Sequence, residues 1–177
     1  LQVWENEEAA NLFFRTGGVY AKYKQQASEN WRLYLRNIRA VGVWSGNNPF
    51  LSHGEIDPLN PYLAVITRAT IKTGKLYKFW NYVPASQQLL KENAGLIYTK
   101  GIGEVPVIQM ATFSLWENEQ AMKNYAYNSQ GHMVAIKKTR ELKWYKEELF
   151  SRFQPYRSIG TWFGNNPLAE FELLEFQ

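Results

Sequence analysis

The chain has 177 residues, of which 45% are hydrophobic and 20% charged, a composition typical of one globular domain or of two small packed ones. Its formal net charge of +4 comes from scattered basic residues, which argues against nucleic-acid binding. The absence of cysteine excludes disulfides, thiolate metal ligands, a cysteine nucleophile and a covalently attached c-type haem.

Residues 1–50 are predicted to form the C-terminal part of a first α+β repeat. In chain order we expect the end of a strand at Gln2–Trp4, a broken helix at Glu5–Arg39 and a strand at Val41–Ser45. A linker follows at residues 51–61, where His53 is expected to be a solvated loop residue. A complete repeat has about 45 residues before its third strand, so a segment of about that size is expected ahead of Leu1.

Residues 62–177 are predicted to form a second, complete repeat. We expect a strand at 63–72, a helical stretch from Thr73 to Gly95 with a kink at Pro84, and strands at 96–103 and 107–116 around a turn at Gly103–Pro106. A helix from Glu117 to about Tyr127 is expected to break at 128–131 and to resume as far as about Phe153, before a last strand from Arg157. The order β-α-β-β-α-β is that of a ferredoxin-like unit.

Two pairs of similar segments indicate an internal repeat. VGVWSGNNPF, which ends at Phe50, resembles SIGTWFGNNPL, which ends at Leu168, and VWENEEA from Val3 resembles LWENEQA from Leu115. Each Gly-Asn-Asn-Pro segment is predicted to be a turn rather than a site. We therefore predict an α+β fold in which two β-α-β-β-α-β repeats form a pseudo-dimeric α+β barrel, the first repeat lacking its N-terminal part.

His132 is the first candidate for chemistry. It stands in the first turn of the resumed helix, where backbone N–H groups favour a neutral imidazole that is able to bind a metal. Helical spacing places it with Ala135 and Ile136 on a mostly apolar face. The interpretations are an axial ligand of haem iron and a core histidine held by a hydrogen bond. The aligned position in the first half is Tyr20, so only the second half offers an imidazole.

Arg68 is the second candidate. By alternation it shares one face of its predicted strand with Ile66 and Thr70. A guanidinium in a strand of β-branched residues needs a partner, and the choices are a carboxylate, a haem propionate and an oxygen-derived ligand. The pattern favours a plain salt bridge over the functional choices.

Several ordered blocks of the sequence resemble those of a known family. They are NWRLYL and GVWSGNNPF in the first half, and RATIK, FWNYVPASQ, GIGEVPVIQMATFSLW, GHMVAIKKTRELKWYKEELFSRF and GTWFG in the second. Together they resemble spheroidene monooxygenase, the carotenoid ketolase of purple bacteria, over essentially the whole chain. Members of that family carry an additional N-terminal segment.

The resemblance implies a haem b-containing monooxygenase that inserts oxygen from O2 into an acyclic carotenoid, with electrons from an external donor such as a ferredoxin. The family's histidine falls on His132, which would hold the iron. Arg68, Gln109 and Phe113 fall within matching blocks as pocket candidates, and Trp80 with Phe113 would line an apolar slot. Arg68 would hydrogen-bond a propionate or bound oxygen.

Three further expectations concern partners, location and rival functions. A long apolar substrate suggests transient contact with a membrane surface. The protein is otherwise expected to be cytoplasmic. A homo-oligomer is possible. One rival function is a non-catalytic barrel that binds haem or another apolar ligand. Another is a non-oxidative haem enzyme such as an aldoxime dehydratase.

Overall fold

The structure is a computed structural model, and it describes residues 1–50, 55–81, 90, 93–128 and 141–169. Contacts within the chain divide it into two compact units. The first unit comprises Leu1–Tyr34 and the chain from Arg157 onward, and the second unit comprises Leu35–Tyr156. Two strands, β1 (Trp31–Gly42) and β5 (Tyr145–Gly160), contribute residues to both units.

Two consecutive helices, α1 (Glu7–Thr16) and α2 (Gly18–Gln26), lie in the first unit. Asn6 begins α1, because its side-chain oxygen accepts a hydrogen bond of 2.8 Å from the backbone N–H of Ala9. The backbone N–H of Gly17 donates to the carbonyl of Phe13, which ends α1 and allows α2 to begin at once.

The second unit contains a β-α-β-β-α-β order of elements. These are β2 (Leu63–Ile71), α3 (76–81), β3 (Leu96–Val105), β4 (Gln109–Trp116), α4 (Glu119–Lys123) with a π-helical turn at Asn124–Asn128, and β5. The strand order in the sheet is β1-β5-β2-β4-β3, and β2 pairs antiparallel with both β4 and β5. The last four strands have the order of a ferredoxin-like unit, so the predicted α+β class is confirmed.

The two faces of this sheet are packed differently. Val65 and Trp116 lie on one face, where a core cluster includes Met122 of α4. Ile71 continues that face into a second cluster with Phe79 of α3 and with Trp144. Arg68 lies on the opposite face, because side chains alternate along β2.

Two predicted helices are wrong at their C-terminal parts. Strand β1 begins at Trp31, inside the predicted helix Glu5–Arg39, and β5 begins at Tyr145, eight residues before the predicted helix end at Phe153. In β5 the burial of Leu149, Ser151 and Phe153 alternates with more exposed neighbours, as a strand requires. The helix propensity of Lys, Glu and Leu in this segment is outweighed, because the sheet provides backbone hydrogen bonds and burial of side chains together.

Pairing in the second unit shows why β1 is a strand. The side-chain amide of Asn37, buried in β1, donates to Ser151 Oγ at 2.6 Å and to the carbonyl of Arg152 at 3.1 Å. The backbone N–H of Val43 donates to the carbonyl of Glu148 at 3.0 Å. From Asn37 to Val43 the residue numbers rise along β1 and just past its end, while those of their partners fall from Ser151 to Glu148 along β5. The two strands are therefore antiparallel.

Other boundaries also differ from the prediction. Residues 1–4 are irregular and exposed, so the predicted strand end at Gln2–Trp4 is not found. The hairpin turn lies at 106–108 rather than at Gly103–Pro106, and Val107 adopts a positive φ of 72° within it. Helical residues 76–81 and 90 agree with the predicted helical stretch. Of the predicted break at 128–131, Asn128 is still helical, whereas residues 129–131 and Pro84 lie outside the described residues.

Both Trp-x-Gly-Asn segments form tight turns. Trp44 bridges Asn47 and Trp162 bridges Asn165, with the central residues of both turns in the left-handed region. These turns overlap the predicted Gly-Asn-Asn-Pro turns but begin two residues earlier, at Trp44 and Trp162. The descent of the halves from one repeat, the domain limits 1–50, 51–61 and 62–177, and closure into a barrel stay predictions.

Candidate functional site

The two histidines, His132 and His53, lie outside the described residues. The other predicted site residues fall on two different faces of the sheet. Arg68, Gln109 and Phe113 share one face, because the register pairs Arg68 with Ala111, two residues from each of the others. Trp80 packs against the cluster of the opposite face and donates from its indole N–H to the carbonyl of Val107 at 3.0 Å. The structure therefore does not bring Trp80 together with the other three.

Arg68 lies at the centre of a buried ion-pair cluster. Its residue exposure is 1%, and its Nη2 lies 3.1 Å from Glu104 Oε2. Its Nη1 donates to Glu147 Oε1, and its guanidinium lies 5.4 Å from the ring centroid of Trp44. Of the partners expected for this guanidinium, the carboxylate is the one that the structure shows.

Glu147 links this cluster to the first tight turn. Its carboxylate accepts hydrogen bonds from the backbone N–H groups of Ser45 at 2.8 Å and Gly46 at 2.9 Å. Burial raises the pKa of Glu147, but these two hydrogen bonds, together with the hydrogen bond and charge of Arg68, outweigh it and hold the pKa below its usual value. Glu147 is therefore a carboxylate near neutral pH.

The cluster does not fit a haem propionate. One guanidinium faces two carboxylates, so the group of three carries a net negative charge that repels a further anion. The Nε of Arg68 is buried without a hydrogen-bond partner, but both terminal nitrogens already donate. The geometry suits an ion pair that holds β2 to β3 and β5.

Phe113 and Gln109 have ordinary sheet environments. The ring of Phe113 lies 6.1 Å from that of Tyr98 on the neighbouring strand β3, and both side chains are partly buried. Gln109 is partly buried at the start of β4, opposite Thr70. Their assignment to a substrate or cofactor pocket stays a prediction.

Two further features of the described residues concern metals and membranes. In residues 1–50, 55–81, 90, 93–128 and 141–169, no three His, Cys, Asp or Glu side chains are grouped so as to hold a metal ion. This finding does not test iron ligation by His132, because that residue lies outside these ranges. No helix in the described part of the chain is long and apolar enough to cross a membrane.

The first unit contains a concave site that the sequence analysis missed. A cleft of about 510 Å³ lies between α1, α2 and the portions of β1 and β5 that belong to this unit. The charged side chains that line it are mainly basic: Arg15, Lys24, Arg32 and Arg157, with Glu8 as the acidic one. We call this site the basic cleft. The alternation in NWRLYLR is a signal that places Arg32 and Tyr34 on one strand face, whereas our prediction for this segment is a helix.

Comparison with known proteins shows which sequences the chain is similar to. The chain is 36% identical over 171 residues to spheroidene monooxygenase of Cereibacter sphaeroides, an alignment that covers 96% of the chain and 52% of that protein. It is 37% identical over 153 residues to spheroidene monooxygenase of Rhodobacter capsulatus, covering 85% of the chain and 63% of that protein. This chain is a relative of the spheroidene monooxygenases. The resemblance seen in the sequence is thereby confirmed.

A third spheroidene monooxygenase, from Rubrivivax gelatinosus, is 33% identical over 162 residues, which are 92% of the chain and 61% of that protein. The chain thus spans between 52% and 63% of the length of these spheroidene monooxygenases. No protein-family model matches it. A solved structure of a candidate monooxygenase from Fusobacterium nucleatum superposes with a TM-score of 0.54 and 10% identity, covering 92% of the chain and 70% of that structure. At that identity the likeness shows a shared fold only.

Proposed function

We propose that this protein is a monooxygenase that transfers one atom of O2 to a long apolar, carotenoid-like substrate. The observation that carries the proposal is the 36% identity to a spheroidene monooxygenase across 96% of the chain. Two electrons from an external donor such as a ferredoxin, with two protons, would reduce the second oxygen atom to water. A carotenoid-like substrate is nearly insoluble in water, so transient contact with a membrane surface belongs to the same proposal.

We further propose haem b as the cofactor, with His132 as the residue that would bind its iron. The support is the position of His132 at the start of a predicted helix and its match to the histidine of the family block. When bound, haem iron would supply the activation of O2, while the protein would orient the substrate and exclude water. The Arg68 cluster takes no part in this proposal, because its net charge is negative.

The visible spectrum of the purified full-length protein tests the haem proposal. We expect a Soret band in the wild-type protein and in His53→Ala, and its loss or a large shift in His132→Ala, because only His132 is proposed to bind iron. His53→Ala is the matched control, since it removes the other imidazole of the chain. A wild-type protein without a Soret band, or a band unchanged in His132→Ala, would contradict the assignment.

A further inference from the structure

The basic cleft has an excess of positive charge that its lining residues do not neutralise. Four basic side chains face one acidic side chain in its lining. Arg157 is paired outside the lining, with Glu7 at 2.5 Å. Among the described residues no carboxylate lies within ion-pair distance of Arg15, Lys24 or Arg32, so the cleft favours a negatively charged occupant.

Arg32 places one of these positive charges beside two aromatic rings. Its guanidinium carbon lies 4.7 Å from the ring centroid of Phe14 and 5.9 Å from that of Tyr20. Its Nε is buried and has no hydrogen-bond partner in the described structure. A desolvated donor of this kind costs free energy unless an acceptor reaches it, and a carboxylate is the strongest such acceptor.

Aromatic and apolar side chains complete the lining. The rings of Phe14 and Tyr20 meet edge to face with centroids 4.9 Å apart. Tyr34 is buried in the wall and its hydroxyl donates to Asn11 Oδ1 at 3.3 Å, while Ile159 adds an apolar surface. Flat rings and a planar guanidinium together suit a flat ligand. The volume of about 510 Å³ is within the range of small-molecule sites.

We propose that the basic cleft binds a planar organic anion of the aromatic carboxylate class, with Arg32 contacting the carboxylate and the Phe14–Tyr20 pair contacting the ring. All described residues of its lining belong to the first unit, and the proposal does not depend on the proposed oxygenase chemistry. Lys24 and Arg15, which are exposed at the rim, add attraction at longer range.

Calorimetric titration of the full-length protein with 2-naphthoate tests the proposal. We expect saturable binding at one site, and at least about ten-fold weaker binding of 2-naphthamide, which keeps the ring and removes the charge. Inorganic phosphate, which has charge and no ring, should also bind at least about ten-fold more weakly. No saturable binding of 2-naphthoate, or equal binding of either comparison compound, would overturn the proposal.

Two exposed lysines of α2 provide a matched pair of variants. Lys24 lines the cleft and Lys22 does not, and both are exposed, so Lys24→Glu and Lys22→Glu change the net charge equally without disturbing the core. We expect Lys24→Glu to weaken 2-naphthoate binding several-fold and Lys22→Glu to leave it within about two-fold. Arg32→Gln should weaken it at least about ten-fold. Equal effects of the two lysine variants would place the ligand elsewhere and overturn the assignment.

Discussion

Arg68 carries a buried positive charge that two carboxylates compensate. The side chain of Arg68 is fully buried, whereas those of Glu104 and Glu147 are 25% and 18% exposed, so removal of the guanidinium leaves two partly buried carboxylates facing each other. The cation also lies over the ring of Trp44. We therefore expect the loss of Arg68 to destabilise the fold, although the cluster does not fit a haem propionate.

Replacement of Arg68 by Met should lower the free energy of unfolding by about 3 kcal/mol, the lower end for a broken buried ion pair, because the carboxylates keep some water. Urea unfolding followed by tryptophan fluorescence measures the change. Lys100→Met, at an exposed position of β3, is the control and should change stability by less than about 0.5 kcal/mol. An equally small change in Arg68→Met would show that the cluster does not stabilise the fold.

Glu147 predicts a specific pH dependence of stability. Its pKa is lowered in the folded state from the usual 4.5, so the unfolded chain takes up a proton first as the pH falls. The stability contributed by this carboxylate is present above pH 4.5 and is lost as the pH falls through the folded-state pKa. In Glu147→Gln this part of the acid dependence should disappear. The difference in unfolding free energy between wild type and variant, followed from neutral to acidic pH, should shrink; a constant difference would contradict the assignment.

At the scale of elements, the two copies of each repeated segment, Trp-Glu-Asn-Glu and Trp-x-Gly-Asn, make the same kinds of hydrogen bond. Asn6 and Asn118 each begin a helix by accepting a backbone hydrogen bond of 2.8 Å from the residue three positions later. Each tight turn donates two backbone N–H groups to one carboxylate. Glu147 receives them from the first turn, and Glu29 receives them from Phe163 at 2.8 Å and Gly164 at 2.6 Å.

The second carboxylate behaves electrostatically like the first. Hydrogen bonds from Gly164 and Phe163 lower the pKa of Glu29, so it too stays charged as it holds the turn. The positive φ values of 53° at Phe163 and 54° at Ser45 are strained for residues with side chains. Two charge-assisted hydrogen bonds per turn offset that strain.

Gly42 ends β1 in a conformation that other residues adopt at a cost. Its φ is +98°, and a Cβ there would overlap the carbonyl oxygen of Glu148. Gly42→Ala should lower the free energy of unfolding by at least about 2 kcal/mol, through backbone strain and the forced shift of β5. Gly101→Ala, in the edge strand β3 with open space around the added methyl group, should be neutral or slightly stabilising. Equal stability of the two variants in denaturant unfolding would contradict this account.

At the scale of the whole molecule, the second unit has a ferredoxin-like order of elements and the chain is similar in sequence to spheroidene monooxygenases. The sheet order β5-β2-β4-β3 within the second unit is the ferredoxin-like one, and the chain aligns with spheroidene monooxygenases over most of its length. Because the chain spans 52% of the first of these relatives, tests of activity belong to the full-length protein.

The proposed activity predicts oxygen-dependent conversion of an acyclic carotenoid. With a reductant and donor present, the full-length protein should yield an oxygenated carotenoid in air and none under argon, since O2 supplies the inserted atom. Chromatography with mass detection measures the product. His53→Ala should retain turnover and His132→Ala should lose it. Haem binding without product in air would identify a carrier, and turnover of an aldoxime to a nitrile would identify a dehydratase instead.

The sequence by itself determined the features that depend on near neighbours. The helix starts at Asn6 and Asn118, the tight turns at Trp44 and Trp162, and strand β2 were all predictable, because each depends on hydrogen bonds or alternation within a few residues. The resemblance to spheroidene monooxygenases was also predictable, since the matching blocks occur in order along the chain.

Only the tertiary structure decided the rest. Residues 145–153 carry helix-forming Lys, Glu and Leu, yet they form a strand because β1 and β2 supply paired backbone on both sides. Arg68 found partners 36 and 79 residues away in sequence, a choice that no local pattern encodes. The basic cleft likewise combines Arg32 with Phe14 and Tyr20 through the packing of two helices on strand ends, so its charge and shape appear only when the chain is folded.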